Sequence, residues 1–218
     1  MSSGPTPTLR VSEIFASLQG ESTRIGRPTV FIRLTGCPLR CVWCDTQYAF
    51  RGGETLDLPA VLDDVAAHAL HDVCVTGGEP LAQPACLALL TALCDAGYSV
   101  SLETSGALDI SGVDARVSRV VDLKAPASGE AARNRYENAA LLTAHDEVKI
   151  VLADEADYQW AREQIAAHNL IGRCPVLLSP AAGLLDPAQL AAWIVRDRLP
   201  VRFQLQLHKI LWNGARGR

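Results

Sequence analysis

The sequence predicts an α/β fold, an incomplete β/α barrel built on a mostly parallel sheet. Three observations carry that expectation. Short β-branched or apolar runs alternate with longer stretches of helical periodicity, the pattern of repeated βα units. Six or seven such strands are matched by only about five helices, too few for a closed ring. The chain has 218 residues, whereas a full eightfold barrel typically takes about 250.

The first strand is expected at 30–34, Val-Phe-Ile-Arg-Leu, apolar apart from Arg33. A helical pattern over 58–70 and a Val-rich run at 73–76 follow. The unit repeats as a Leu- and Ala-rich helix at 83–96 and a strand at 99–103. The next strand, 117–123, comes so soon after 106–114 that one crossover must be short or missing. Helix 131–143 with strand 148–152, helix 155–168 with strand 176–179, and helix 187–196 with strand 201–206 complete the series.

No repeat, long linker or low-complexity block divides the chain, so one domain is expected over 10–210. A flexible segment is expected at 1–9 and a mobile tail at 211–218. No apolar run reaches the roughly 18 residues of a membrane span. A net charge of −4 argues against nucleic acid as a partner, which wants a basic face. Seven cysteines are an odd number, no apolar signal segment leads the chain, and a chain this long can bury a core without disulfide staples. Reduced thiols point to the cytoplasm.

Cys37, Cys41 and Cys44 are the most informative residues. Gaps of three and two residues set three thiolates on one loop, able to wrap one face of a metal cluster. A structural zinc or a fully protein-ligated cubane takes four protein ligands. Three cysteines would leave one iron open to a small molecule. A distant Cys or His could still close the set into a zinc site.

Gly77-Gly78-Glu79-Pro80 follows the strand at 73–76, and glycines there let backbone approach a ligand closely. Glu103 to Gly106, Asp122 to Lys124, and Ser179-Pro180 close three further strands. All of these segments fall at carboxyl ends of strands, where barrel-like sheets build their sites.

The Cys37-x3-Cys41-x2-Cys44 loop with Trp43 before its last Cys, followed by Gly77-Gly78-Glu79-Pro80, resembles the radical S-adenosylmethionine (SAM) superfamily. Glu13 to Ser22, Gly26 to Leu34, Cys44-Asp45-Thr46, Glu103 to Gly106, Asp122 to Lys124 and Gln204 to Lys209 narrow this. Together they are similar to the 7-carboxy-7-deazaguanine synthase family. The likeness spans roughly residues 10 to 210.

The resemblance implies the reduced barrel of that superfamily and a lyase of 7-deazapurine (queuosine) biosynthesis. Such an enzyme converts 6-carboxy-5,6,7,8-tetrahydropterin to 7-carboxy-7-deazaguanine by hydrogen abstraction, ring contraction and loss of ammonia. It further implies a [4Fe–4S] cluster on Cys37, Cys41 and Cys44, adenosylmethionine on the open iron, and Mg²⁺ at Thr46. Adenosylmethionine would meet Trp43, Cys44, Asp45, Gly78, Asp122, Leu123, Lys124 and Ser179. The pterin would meet Leu18, Gln19, Gly20, Arg33, Thr76 and Glu103. No side chain is needed as the hydrogen abstractor, because a 5′-deoxyadenosyl radical does that work. A homodimer and an external one-electron donor of flavodoxin or ferredoxin type complete the expectation.

Ser22 stands where the family often has Gly, Leu207 where it often has Thr, and nine residues extend past Lys209. A radical activase acting on a partner protein shares the cluster and glycine motifs. A non-catalytic iron–sulfur or zinc module is the remaining alternative.

Overall fold

Residues 6–218 are described by the computed structural model. Among them nine strands form: β1 (Thr8–Leu18), β2 (Pro28–Leu34), β3 (Glu54–Asp57), β4 (Asp72–Gly77), β5 (Ser99–Thr104), β6 (Ser118–Lys124), β7 (Glu147–Leu152), β8 (Val176–Pro180) and β9 (Arg202–Phe203). The helices are α1 (Leu58–Ala67), α2 (Ala85–Asp95), α3 (Glu155–Ala167), α4 (Pro187–Arg196) and the short α5 (Leu207–Trp212). The strands make one open sheet in the order β3-β1-β2-β4-β5-β6-β7-β8-β9. Every neighbouring pair from β2 to β9 is parallel. β1 is antiparallel to both of its neighbours. The sheet is therefore the incomplete, mostly parallel barrel that the sequence predicts.

Side-chain alternation along each strand assigns the two faces. Val30, Ile32 and Leu34 of β2, Val73 and Val75 of β4, Val121 and Leu123 of β6, and Val148, Ile150 and Leu152 of β7 enter the core with the helices. The opposite phase points Phe31, Arg33, Thr76, Glu103, Asp122, Lys124 and Lys149 into a cavity on the concave face. α1 starts where Asp57 accepts from the Ala60 amide at 2.9 Å, and it buries Val61 and Val65, one turn apart. Asp154 and Asp186 cap α3 and α4 in the same way.

Four local expectations give way. β1 has no clean period-2 signature because its register shifts between Val11 and Glu13. Leu9 and Val11 are core residues on one phase and Ile14 packs on the core from the other, so the alternation cancels across the bulge. Leu9 also brings the domain boundary forward: of the segment 1–9 expected to be flexible, Thr8 and Leu9 are strand and residues 1–5 lie outside the described residues.

The helix expected at 131–143 is replaced by 3₁₀ turns at Ala131–Arg133 and Tyr136–Leu141. Two asparagine side chains hold this stretch in place. Asn134 bonds both the amide and the carbonyl of Lys124 at 2.9 Å, and Asn138 donates to the carbonyls of Gly106 and Leu108. Tertiary hydrogen bonds override a helix-prone composition there.

The strand expected at 201–206 shrinks to β9, because Gln204 is drawn inward to bond Ser22 through both its amide and its carbonyl. Ser22 holds a left-handed φ of +67°, which a glycine would adopt without strain, and the Gln204 clamp secures it. The fourth departure is at the carboxyl end, where residues 214–218 line the cavity and Arg216 stacks 3.7 Å from the Tyr48 ring centre.

Candidate active site

The cavity encloses about 250 Å³ above the carboxyl ends of the strands. The loop after β2 forms one wall. Leu39, 1% exposed, anchors that loop, and Arg40 stacks on Phe50 at 4.3 Å while donating to the Cys37 carbonyl at 2.8 Å. Between these ties Cys37, Cys41 and Cys44 are half-buried, unbridged and turned to the cavity. Burial pushes the Cys37 and Cys41 thiols up, so loading metal there must release protons. Among the described residues no three His, Cys, Asp or Glu side chains gather closely enough for a single metal ion.

The turn after β4 docks on the root of this loop. A Cβ at Gly78 would lie 2.2 Å from the Gly36 carbonyl oxygen and 2.8 Å from the Cys37 Cβ, so only glycine fits. The Gly78 amide donates to Leu34 and the Glu79 amide to Gly36 at 2.7 Å. The Glu79 carboxylate does not reach the cavity. It is fully buried and accepts from the amides of Leu81 and Ser105 and the hydroxyls of Thr104 and Ser105 at 2.5–3.0 Å. It straps the β4 turn to the end of β5.

Next to the thiols lie Trp43, Asp45, Gly78, Asp122 and Lys124. Asp45 meets Lys209 at 3.2 Å and His208 at 3.7 Å, and although burial opposes it, the hydrogen bond from His208 and the Lys209 ammonium hold its carboxyl below the usual range. Asp122 pairs with Lys124 at 2.9 Å through Oδ2, leaving Oδ1 buried without a partner among the described residues. Ser179, wholly buried, also has a partnerless hydroxyl. An unpartnered carboxylate oxygen on Asp122, a glycine cradle and three free thiols fit a cluster carrying a hydroxyl-bearing nucleoside ligand, whereas Ser179 does not line the cavity. Leu123 alone of this group does not face the cavity, because its side chain is on the core phase of β6.

At the other end, Arg33 donates through Nε to Glu13 at 2.7 Å and lies 5.9 Å from the ring centres of Phe15 and Tyr48. The Tyr48 hydroxyl donates to the same Glu13 oxygen at 2.7 Å, and burial with that bond pushes Tyr48 up to about 12. Glu103 accepts from Thr76 at 3.0 Å and from Gln19 at 3.3 Å. Leu18 and Gly20 complete the lining, and a Cβ on Gly20 would strike the His208 ring at 2.4 Å. Thr46 also lines the cavity, with its hydroxyl 3.7 Å from the Cys44 sulfur.

The structure thus brings together the site residues expected from sequence except Leu123, whose side chain is in the core, and Ser179, which is wholly buried and does not line the cavity. Glu13, Tyr48, Glu21, Lys149, Gln206 and the carboxyl-terminal segment also frame the site and were not anticipated. Lys149 had a legible signal: it is the one cation in the run Glu147-Val-Lys-Ile-Val-Leu152.

The radical SAM superfamily model matches residues 31–125. The 7-carboxy-7-deazaguanine synthase of Chlorobaculum tepidum is 47% identical over 213 residues, covering 96% of this chain and 97% of that one. That of Koribacter versatilis is 42% identical, covering 94% and 97%. The crystal structure of QueE from Escherichia coli superposes with a TM-score of 0.71 at 22% identity, over 92% of this chain and 95% of that chain, a likeness of fold. Near full-length identity at this level, with the thiol loop, the glycine cradle and the concave polar face in place, makes the chain a member of the 7-carboxy-7-deazaguanine synthase family of the radical SAM superfamily.

Proposed function

We propose that the protein converts 6-carboxy-5,6,7,8-tetrahydropterin to 7-carboxy-7-deazaguanine, a carbon–nitrogen lyase reaction of 7-deazapurine biosynthesis. One observation carries the reading: a single cavity presents three free thiols at one end and half-buried Arg33 and Glu103 at the other. When bound, a [4Fe–4S] cluster with adenosylmethionine supplies the carbon radical that takes a substrate hydrogen. Cys37, Cys41 and Cys44 hold the cluster, and Gly78 admits the amino-acid end of adenosylmethionine. Asp122 would accept from its hydroxyls, beside Trp43, Asp45 and Lys124. The Leu123 backbone shares that wall.

The residues of the other half orient the pterin. Arg33 commits Nε to Glu13, and among the described residues its two terminal nitrogens have no hydrogen-bond partner, which leaves them for the substrate carboxylate. Glu103, set by Thr76 and Gln19, accepts from the guanidine-like nitrogens of the ring. Leu18, Gly20 and the carboxyl-terminal segment exclude water. Thr46 offers a neutral oxygen to a Mg²⁺ ion that substrate oxygens and water complete.

A homodimer, a cytoplasmic location and a flavodoxin- or ferredoxin-type electron donor belong to the same proposal. No helix of the described residues is long and apolar enough to cross a membrane.

Anaerobic reconstitution, reduction and incubation with carboxytetrahydropterin and adenosylmethionine test the reading by product mass. Deazaguanine carboxylate is expected. Cleavage of adenosylmethionine with an unchanged pterin would overturn it.

Two variants probe the halves separately. Arg33→Lys replaces a planar guanidinium, whose terminal nitrogens can grip a carboxylate while Nε holds Glu13, by a point charge without that fork. Because charge-assisted bonds contribute roughly 1.5–3 kcal/mol, pterin affinity should fall about ten- to hundred-fold, with cluster content unchanged. Substrate titration measures it, and wild-type affinity would remove Arg33 from the carboxylate site. Thr46→Ala should flatten the dependence of turnover on magnesium by a few-fold only, since water can replace a neutral ligand. An unaltered magnesium titration would take Thr46 out of the ion's surroundings.

A further inference from the structure

Lys149 is a charged residue buried in a strand whose other residues are all buried, and nothing in the proposed chemistry uses it. Parallel register sets it beside Asp122 on β6. Its Nζ lies 3.3 Å from Asp122 Oδ2 and bonds Glu21 Oε2, a residue 128 positions away. The second Glu21 oxygen accepts from Gln206 at 2.5 Å. Lys124 meets the same Asp122 oxygen at 2.9 Å. Four alternating charges therefore cross the floor of the cavity: Lys124, Asp122, Lys149, Glu21. Glu21 and Asp122 hold the Lys149 ammonium well above the ordinary lysine range although burial opposes the charge.

The two ends of this row belong to different halves of the site. Asp122 is close enough to act on the Cys41 thiol, and its Oδ1 has no partner among the described residues. Glu21 follows Leu18-Gln19-Gly20 directly, and its amide donates to the Gln19 side chain at 3.2 Å, which in turn donates to Glu103. The same loop is fixed elsewhere, by Thr23 on Glu147 and by Ser22 on Gln204. Among the described residues it is the Lys149 ammonium on β7 that links this loop to Asp122 on β6, through its contacts with Glu21 on one side and Asp122 on the other.

We propose that Lys149, with Glu21, is a positioning pair that couples the two halves of the cavity, so that adenosylmethionine and the pterin each tighten the binding of the other. This rests on the placement of the two ligands proposed above. One ammonium is shared between two carboxylates. When hydroxyls donate to Asp122, its demand on Lys149 falls and the ammonium shifts toward Glu21. Glu21 then holds the Gln19 loop in the arrangement that addresses Glu103 and the ring. Linkage makes the effect reciprocal.

Calorimetric titration of the anaerobically reconstituted, unreduced protein tests this without turnover. Adenosylmethionine affinity is measured with and without saturating carboxytetrahydropterin. In the wild type each ligand should tighten the other at least about fivefold, the lower range of such couplings. The paired variant Lys149→Met with Glu21→Gln removes both charges, leaving Asp122 its Lys124 partner. Its coupling should fall to about one, while each ligand alone still binds. Lys149→Gln with Glu21→Gln, closer in shape, repeats the measurement should the first pair fold poorly. Lys149→Arg should recover part of the coupling.

A merely structural role would lower melting temperature and both affinities without abolishing the ratio. A wild type with no coupling, or a paired variant that keeps it, overturns the proposal. Asp122→Asn and Gln19→Ala separate the underlying reading. If those leave the individual affinities intact, the ligand placement itself is wrong, whereas weakened affinities with coupling retained by the paired variant reject Lys149 alone.

Discussion

Replacement of Cys37, Cys41 or Cys44 by Ala is expected to abolish cluster assembly and all turnover. Each thiol faces the cavity from a loop fixed by Leu39, Arg40 and the Gly36 contact with Gly78, so no neighbouring side chain can swing in as a substitute. The other cysteines lie elsewhere. Cys74 and Cys86 are wholly buried, Cys94 is on α2, and Cys174 sits before the amino end of β8. Burial pushes Cys86 up to about 12 and Cys174 to about 11, so both behave as inert apolar groups. Cys86→Ala should cost some core packing and leave iron and sulfide content near the wild-type value. Iron and sulfide assay with the visible spectrum of the anaerobic protein measures all of this. A Cys41 variant that retains a full cluster, or a Cys74 or Cys174 variant that loses it, would show that a fourth protein ligand closes the site.

Glu79→Ala is the second large effect, and it falls on stability. The carboxylate is fully buried and is the acceptor for two backbone amides, of Leu81 and Ser105, as well as two hydroxyls. The hydroxyls can rotate toward other acceptors, but the amides cannot. Each orphaned buried donor costs about 1–3 kcal/mol, so a loss of about 3 kcal/mol or more is expected. For a chain of this size that corresponds to a fall of about 6–12 °C in melting temperature. Glu79→Gln, which keeps the shape and one acceptor oxygen, should lose less. Thermal unfolding of the metal-free chain measures both without interference from the cluster. A change below about 1 kcal/mol for Glu79→Ala would mean that water replaces the carboxylate. The same variant should also loosen Gly78 against Cys37, because Glu79 ties the turn between them to β5.

These two cases mark different degrees of legibility. The thiol loop and the glycines are short, contiguous patterns, and their spacing alone indicates the chemistry. Glu79 stands in the same motif, yet its partners Thr104 and Ser105 are 25 and 26 residues away, so its structural duty is invisible along the chain. The strands of the parallel sheet were legible because a short β-branched or apolar run is a local signal, and side-chain alternation along those strands decides that Arg33, Glu103, Asp122 and Lys124 leave the core face. Where the local period is interrupted, prediction fails. The register shift in β1 hid a strand of 11 residues that contributes Phe15 and Glu13. A helix-prone composition at 131–143 concealed two asparagines whose side chains bond strand and loop backbone.

The sequence by itself determined the fold class, the order of its parallel units and the end of the sheet at which the polar motifs gather. Those follow from interactions within a few residues: hydrophobic period, helix capping and close backbone packing at glycine. Tertiary structure alone decided which charges neutralise one another and what closes the cavity. Lys149 meets Glu21 across 128 residues, Gln204 clamps Ser22 across 182, and Arg216 comes to rest on Tyr48. Such contacts depend on how the completed sheet curves and brings its distant loops together, and no local propensity encodes that distance.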